Sequence, residues 1–202
     1  ALPISAYISL NSSYNYSIDE ILTFCKPSII IKDKDIYNLI SENNILSEFN
    51  IPKSSKIFCI MYTSGTTGKP KCIAKTYENI NSMFLPLLKN PNTKKVVGQT
   101  NSLNSAVSLY QIFGTLCLGG TVVIIDDNEK TIPALLIDRL NNNKITKLNF
   151  RPQDFESFLD YIETNNIHLP SLLEVSCTGS MTNPSILIRA RKILDFIKYC
   201  VI

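Results

Sequence analysis

The 202-residue chain has little of what several common chemistries need. Histidine occurs once, at His168, so a serine–histidine–aspartate triad could run only through that residue. It sits in the polar stretch Glu163-Thr164-Asn165-Asn166-Ile167-His168-Leu169-Pro170, which reads as a surface connection. Six cysteines are present, but none forms a C-x-x-C pair or a zinc-type spacing. Most of them stand in apolar runs, where a thiol behaves as a small hydrophobe; this predicts a reducing, cytoplasmic setting. No apolar run approaches the length that crosses a bilayer, so no membrane span is expected. There is no signal-peptide pattern, and a chain that starts at Ala1 is expected to lack its natural N-terminus. The net charge of +3 is small, and the basic residues are scattered apart from short groups such as Lys69, Lys71 and Lys75. Without a basic stripe, nucleic acid is not an expected partner.

What is present is enough apolar material for a core: 45% hydrophobic residues against 18% charged. Short β-rich runs alternate with amphipathic stretches. Strands are expected at 6–10, 28–31, 57–62, 72–74, 95–98, 121–125, 145–150, 172–177 and 199–202. Helices are expected at 18–24, around Ile36 to Ile40, after Thr76, at 106–117, 132–140, 155–162 and 185–196. Thr76 is placed to cap its helix, Pro86 to end or kink it, and Gly119-Gly120 to stop the helix begun at Ala106. This alternation predicts an α/β fold, a largely parallel sheet flanked by helices on both faces.

The segment Tyr62-Thr63-Ser64-Gly65-Thr66-Thr67-Gly68-Lys69-Pro70-Lys71 directly follows the apolar run Ile57-Phe58-Cys59-Ile60-Met61. Glycines let backbone N–H groups approach phosphate oxygens, hydroxyls add donors and lysines add charge, so a strand feeding such a loop suits polyphosphate. It is not a Walker A loop. Only Thr66 and Thr67 separate Gly65 from Gly68, and Pro70 rather than Ser or Thr follows Lys69.

From Tyr62 to Lys71 the loop resembles, without mismatch, the Y-T-S-G-[ST]-T-G-x-P-K signature of the adenylate-forming superfamily, which includes acyl-CoA synthetases, adenylation domains of non-ribosomal peptide synthetases and luciferases. Weaker similarity extends along the chain. Ser5 to Asn11 resembles an upstream A-Y-V-P-L-D segment. Ile112-Phe113-Gly114 with Leu118-Gly119-Gly120-Thr121 resembles I-F-G-x-L…G-[AG]-T, and Thr178 to Pro184 resembles G-G-[AE]-x-L-[ST]-P. The resemblance implies that residues 1–202 are part of the large N-terminal subdomain of an adenylation domain, truncated at both ends relative to the family. It implies ATP and Mg2+ as cofactors, a carboxylic acid as substrate, and CoA or carrier-protein phosphopantetheine as thiol acceptor. Thr63, Ser64, Gly65, Thr66, Thr67, Gly68, Lys69 and Lys71 would bind the ATP phosphates, and Ala106, Gly179 and Ser180 are candidate acyl-pocket residues. The metal ligands are not assigned. The adenine motif N-x-Y-G-x-T-E, the ribose-binding aspartate and the distal lysine of relatives are absent, so no catalytic residue is expected within 1–202 and the chain alone is expected to be inactive. The alternative is a non-catalytic half-domain that binds nucleotide or polyphosphate.

Some positions depart from the family pattern. Cys72 stands where relatives usually have glycine and Tyr77 where many have histidine; neither touches the phosphate chemistry. Ala106 falls where amino-acid-activating relatives place the aspartate that pairs with the substrate ammonium, and the histidine of acyl-CoA ligases near Asn104 or Ser105 is missing. The substrate class is left open, away from ordinary α-amino acids. On its apolar character, the 106–117 helix reads more readily as plain core.

Overall fold

The computed structural model describes residues 7–8, 18–25, 56–63, 71–88, 95–179, 183–194 and 198–201. The strand expected at 28–31, the helix around Ile36 to Ile40 and most of the signature loop lie outside these residues. The chain divides into two compact units, 1–82 and 83–202.

In the first unit, β1 (Tyr7–Ile8) pairs in parallel with β2 (Ile57–Thr63), which pairs antiparallel with β3 (Lys71–Thr76). α1 (Ile18–Cys25) carries the buried Ile21. β3 is longer than the short strand expected at 72–74, because it pairs with β2 in one register from Thr63↔Lys71 to Cys59↔Lys75 and, after a shift between Ile57 and Cys59, again at Ile57↔Thr76. The unit boundary falls within α2 (Tyr77–Leu88). Its start bears out the expected cap: the Asn79 N–H donates to Thr76 Oγ1 at 3.2 Å, and the Thr76 N–H to Asn79 Oδ1 at 3.0 Å. Pro86 does not end this helix, which runs on to Leu88. So near the C-terminus a proline forfeits a single intrahelical bond, and little helix follows to be disrupted.

The second unit is built on five parallel strands in the order β5-β4-β6-β7-β8: β4 (Val96–Gln99), β5 (Thr121–Ile124), β6 (Lys147–Phe150), β7 (Glu174–Cys177) and β8 (Lys198–Val201). Parallel neighbours need crossover connections, and the helices supply them. The stretch expected as one helix at 106–117 has three parts: α-helical Ala106–Leu109, a π turn at Tyr110–Gly114 and α-helical Thr115–Cys117, together α3. Gly119, at φ +73°, terminates it as expected. The helix expected at 132–140 is α5 (Pro133–Asn142), and a short helix not expected from the sequence, α4 (Asp127–Thr131), precedes it. Asp126 opens α4, with its N–H bonded to Glu129 at 2.9 Å; Pro133 suits the first position of α5 because that N–H needs no partner. α6 (Pro152–Asn165) starts earlier and ends later than expected, closed by Asn166 at φ 50°; α7 (Pro184–Ile193) ends before Phe196. His168 is in an exposed connection, as read from the sequence.

The core lies on one face of this sheet. Leu148, Phe150, Val175 and Cys177 point into it and meet Leu136 and Leu140 of α5, Phe155, Phe158, Leu159 and Ile162 of α6, and Ile186 and Ala190 of α7. The Phe150 ring lies 5.2 Å from Phe155 and 4.8 Å from Phe158, centroid to centroid. Burying each such side chain contributes about 1.5–3 kcal/mol. Packing is close enough that a Cβ on Gly98 would stand 2.6 Å from Leu148 Cδ1 and 2.8 Å from Ile125 Cδ1. α3 takes the other face, so helices flank the parallel sheet on both sides.

Candidate functional site

Side chains alternate across a strand, so the residues between the core positions face α3. Lys147 and Asn149 of β6, Ser176 of β7, and Thr178 just beyond it do so, together with Val97 of β4. They floor a cavity of about 440 Å³ whose other wall is α3. From α3 come Ala106, Val107, Tyr110, Gln111, Gly114 and Thr115, followed by Leu118. At 3.6 residues per turn, positions four apart drift steadily around a helix; the wider π turn keeps Ala106, Tyr110, Gly114 and Leu118 on the cavity side. Phe84 supports Tyr110 from α2, edge-on at 5.6 Å.

The polar floor is ordered by its own hydrogen bonds. Asn149 Nδ2 donates to Ser176 Oγ at 2.8 Å and to the Ser176 carbonyl at 3.2 Å, while Thr178 Oγ1 donates to Asn149 Oδ1 at 2.9 Å. Buried Gln111 reaches from the π turn to the Gly98 carbonyl at 3.1 Å and Thr100 Oγ1 at 3.2 Å, and it accepts from the Asn101 N–H at 3.3 Å. Thr100 Oγ1 in turn donates to the Asn149 carbonyl at 2.7 Å. The carboxyl ends of β4, β6 and β7 are thereby tied to α3. At the amino ends, Glu174 accepts from Lys95 at 2.7 Å and from Lys147. Burial pushes the Glu174 carboxyl up, but the hydrogen bonds and charges of Lys147 and Lys95 outweigh it and hold the group below its ordinary value.

Of the residues singled out from the sequence, Ala106 lines this cavity. Gly179 follows Thr178 at φ +104°, a conformation that suits glycine, with open space where a Cβ would be. Ser180 lies outside the described residues. Thr63 and Lys71 are cross-strand partners at the open end of the β2–β3 pair, and Lys71 is exposed; Ser64, Gly65, Thr66, Thr67, Gly68 and Lys69 lie outside the described residues. The signature is therefore the connection of an antiparallel pair whose two ends are held together. The candidates drawn from the sequence do not include Lys147, Asn149, Ser176 or Thr178, although Thr178 opens the stretch that resembles G-G-[AE]-x-L-[ST]-P. Their signal was available as polar residues alternating with Leu148, Phe150, Val175 and Cys177 in strands otherwise fit for burial. Among the described residues no three His, Cys, Asp or Glu side chains gather as metal ligands, and no helix is long and apolar enough to cross a membrane.

The family described as AMP-binding enzyme matches residues 17–200. Zwittermicin A synthase ZmaJ of Bacillus cereus is 29% identical over 152 residues, 72% of this chain and 29% of that protein. Gramicidin S synthase 2 of Brevibacillus brevis is 33% identical over 139 residues, 67% of this chain and 3% of that one. The AMPPNP-bound crystal structure of the nonribosomal peptide synthetase FmoA3 superposes with a TM-score of 0.82 over 97% of this chain and 23% of its own, at 15% identity, which establishes a common fold. This chain thus spans less than a third of each of these relatives.

Proposed function

The chain belongs to the AMP-binding enzyme family, and from that premise we propose that residues 1–202 are part of an adenylation domain. The full-length protein would be an acid–thiol ligase of the adenylating type. A carboxylate oxygen attacks the α-phosphorus of ATP, the bond to the pyrophosphate oxygen breaks, and acyl-adenylate and pyrophosphate form; the acyl group then passes to a thiol of CoA or of a carrier protein. The observation that carries this reading is the Tyr62–Lys71 signature in the sequence, with its flanking residues Thr63 and Lys71 paired in the ladder between β2 and β3.

The obstacle is electrostatic, since an anionic acid must approach a polyanion while charge grows on the leaving pyrophosphate. Gly65 and Gly68 leave room for backbone N–H groups to meet phosphate oxygens. Thr63, Ser64, Thr66 and Thr67 add hydroxyl donors, and Lys69 and Lys71 add positive charge. Because Thr63 pairs with Lys71, the two ends of the segment are already together before phosphate binds. Magnesium, when bound, would neutralise phosphate charge. The cavity under α3 would take the body of the acid, with Ala106 in its wall and Gly179 next in the chain to the lining residue Thr178; Ser180 is kept as a candidate on the sequence alone.

The full-length protein should catalyse exchange of labelled pyrophosphate into ATP that depends on an added carboxylic acid. Lys71→Ala should lower that exchange tenfold or more, the order of a charge-assisted hydrogen bond (roughly 1.5–3 kcal/mol). Residues 1–202 alone should be silent. Nucleotide binding with no exchange under any acid would replace this reading with that of a non-catalytic polyphosphate-binding domain.

A further inference from the structure

The cavity under α3 is asymmetric in charge along its length. Its middle is apolar, walled by Val97, Val107, Tyr110 and Leu118. At the carboxyl ends of the strands stand Asn149, Ser176 and Thr178, which spend their polar atoms on one another. At the amino ends stand Lys95 and Lys147. No aspartate or glutamate is among the described residues that line it. Glu174 bridges the two lysines, one carboxylate oxygen to each, which leaves one positive charge of the cluster unbalanced. A cationic substituent deep in this cavity would meet two ammonium groups and one carboxylate already shared between them; an anionic one would meet a partner.

Both lysines also remain partly accessible, with side chains 40% and 33% exposed, so each keeps N–H donors beyond the one given to Glu174. Ligands of open parallel sheets bind at the carboxyl ends of the strands, which puts a reacting group near Thr178 and the remainder of the molecule toward the lysines. Lys147 stands opposite Glu174 in the ladder, four residues before Thr178. At ~3.3 Å per residue the two ends are separated by roughly 13 Å.

We propose that the cavity selects a carboxylic acid with an extended apolar body and a second, anionic group at its far end, docked on Lys147 beside Lys95. Lys147 is then a specificity-determining residue. The inference rests on the cavity being the acid pocket of the adenylating enzyme. It also agrees with Ala106, which offers no carboxylate to an α-ammonium.

The test compares octanedioate, decanedioate and dodecanedioate with octanoate, decanoate and dodecanoate, using the full-length protein. Two readouts are used: acid-dependent pyrophosphate exchange, and binding of each acid by calorimetry without ATP. The expected result is a preference for one diacid over its monoacid of about tenfold or more in both. Lys147→Met should collapse that ratio toward one through KM, and Lys147→Arg should retain it; thermal melts confirm that both variants fold. Exchange with equal use of mono- and diacids, or an unchanged ratio in Lys147→Met, overturns the inference and leaves the adenylating function standing. Lys147-dependent diacid binding without any exchange supports the inference and removes the adenylating function. Absence of binding by all six acids overturns it.

Discussion

On one face of the parallel sheet, Leu148, Phe150, Val175 and Cys177 are covered by α5, α6 and α7; on the other, Lys147, Asn149, Ser176 and Thr178 floor a cavity beneath α3. The same strands make both surfaces, one residue out of step. On the core face stability comes from volume filled, and polar atoms are absent. On the cavity face Asn149 and Thr178 are also buried, at 4% and 5% exposure, but they are held by hydrogen bonds and leave space unfilled. Burial alone therefore does not mark a core. A buried polar row with mutual hydrogen bonds beside an open volume marks a surface prepared for a ligand.

Truncating each face in turn should separate their roles. Phe158→Ala on the core face should cost about 3–5 kcal/mol of unfolding free energy, measured by urea denaturation, because it empties space among fully buried neighbours. A loss under 1 kcal/mol would mean that this face is loosely packed. Asn149→Ala on the cavity face should cost less, about 1–2 kcal/mol, since Thr178 and Ser176 lose partners but water entering the cavity can replace them. A cost equal to that of Phe158→Ala would erase the distinction between the faces.

The smallest effect belongs to the amino-end cluster. Glu174 has its folded pKa lowered, so its contribution is present above the ordinary carboxylate range and is lost as pH falls through the lowered folded value. With Lys95 and Lys147 partly exposed, the contribution should not exceed about 1 kcal/mol. Urea midpoints measured from neutral to acid pH should fall less steeply for Glu174→Gln than for the unaltered protein. Equal slopes would show that the cluster adds nothing to folding and stands there only for the cavity.

Much of the fold was legible in residue patterns. The runs Thr121 to Ile125 and Ile145 to Phe150 announced strands, Gly119 a helix end, and Thr76 a helix start; each lies close to where it was read. The errors share a cause. Pro86 is expected to end or kink its helix, yet the helix continues for two residues beyond it, because the cost of a proline depends on how much helix remains after it. The stretch beyond Ile125 was read through its apolar residues, which hid a polar helix started by Asp126 and Glu129. The π turn at Tyr110–Gly114 leaves no mark in a pattern search tuned to 3.6 residues per turn, although it sets which side chains reach the cavity. The antiparallel β2–β3 pair escaped because alternating strands and helices predict parallel neighbours, whereas a short connection such as 64–70 returns the chain beside itself.

By itself the sequence determined the α/β class, the strand that feeds the Tyr62–Lys71 signature, and the family to which that signature points. These depend on local spacing and residue chemistry, which a linear chain carries openly. Tertiary structure alone decided that Lys147, Asn149, Ser176 and Thr178 form one floor, and that α3 stands over it with space between. A period of two divides a strand into two faces, but only the packing of helices far apart in the chain determines which face is filled and which is left hollow.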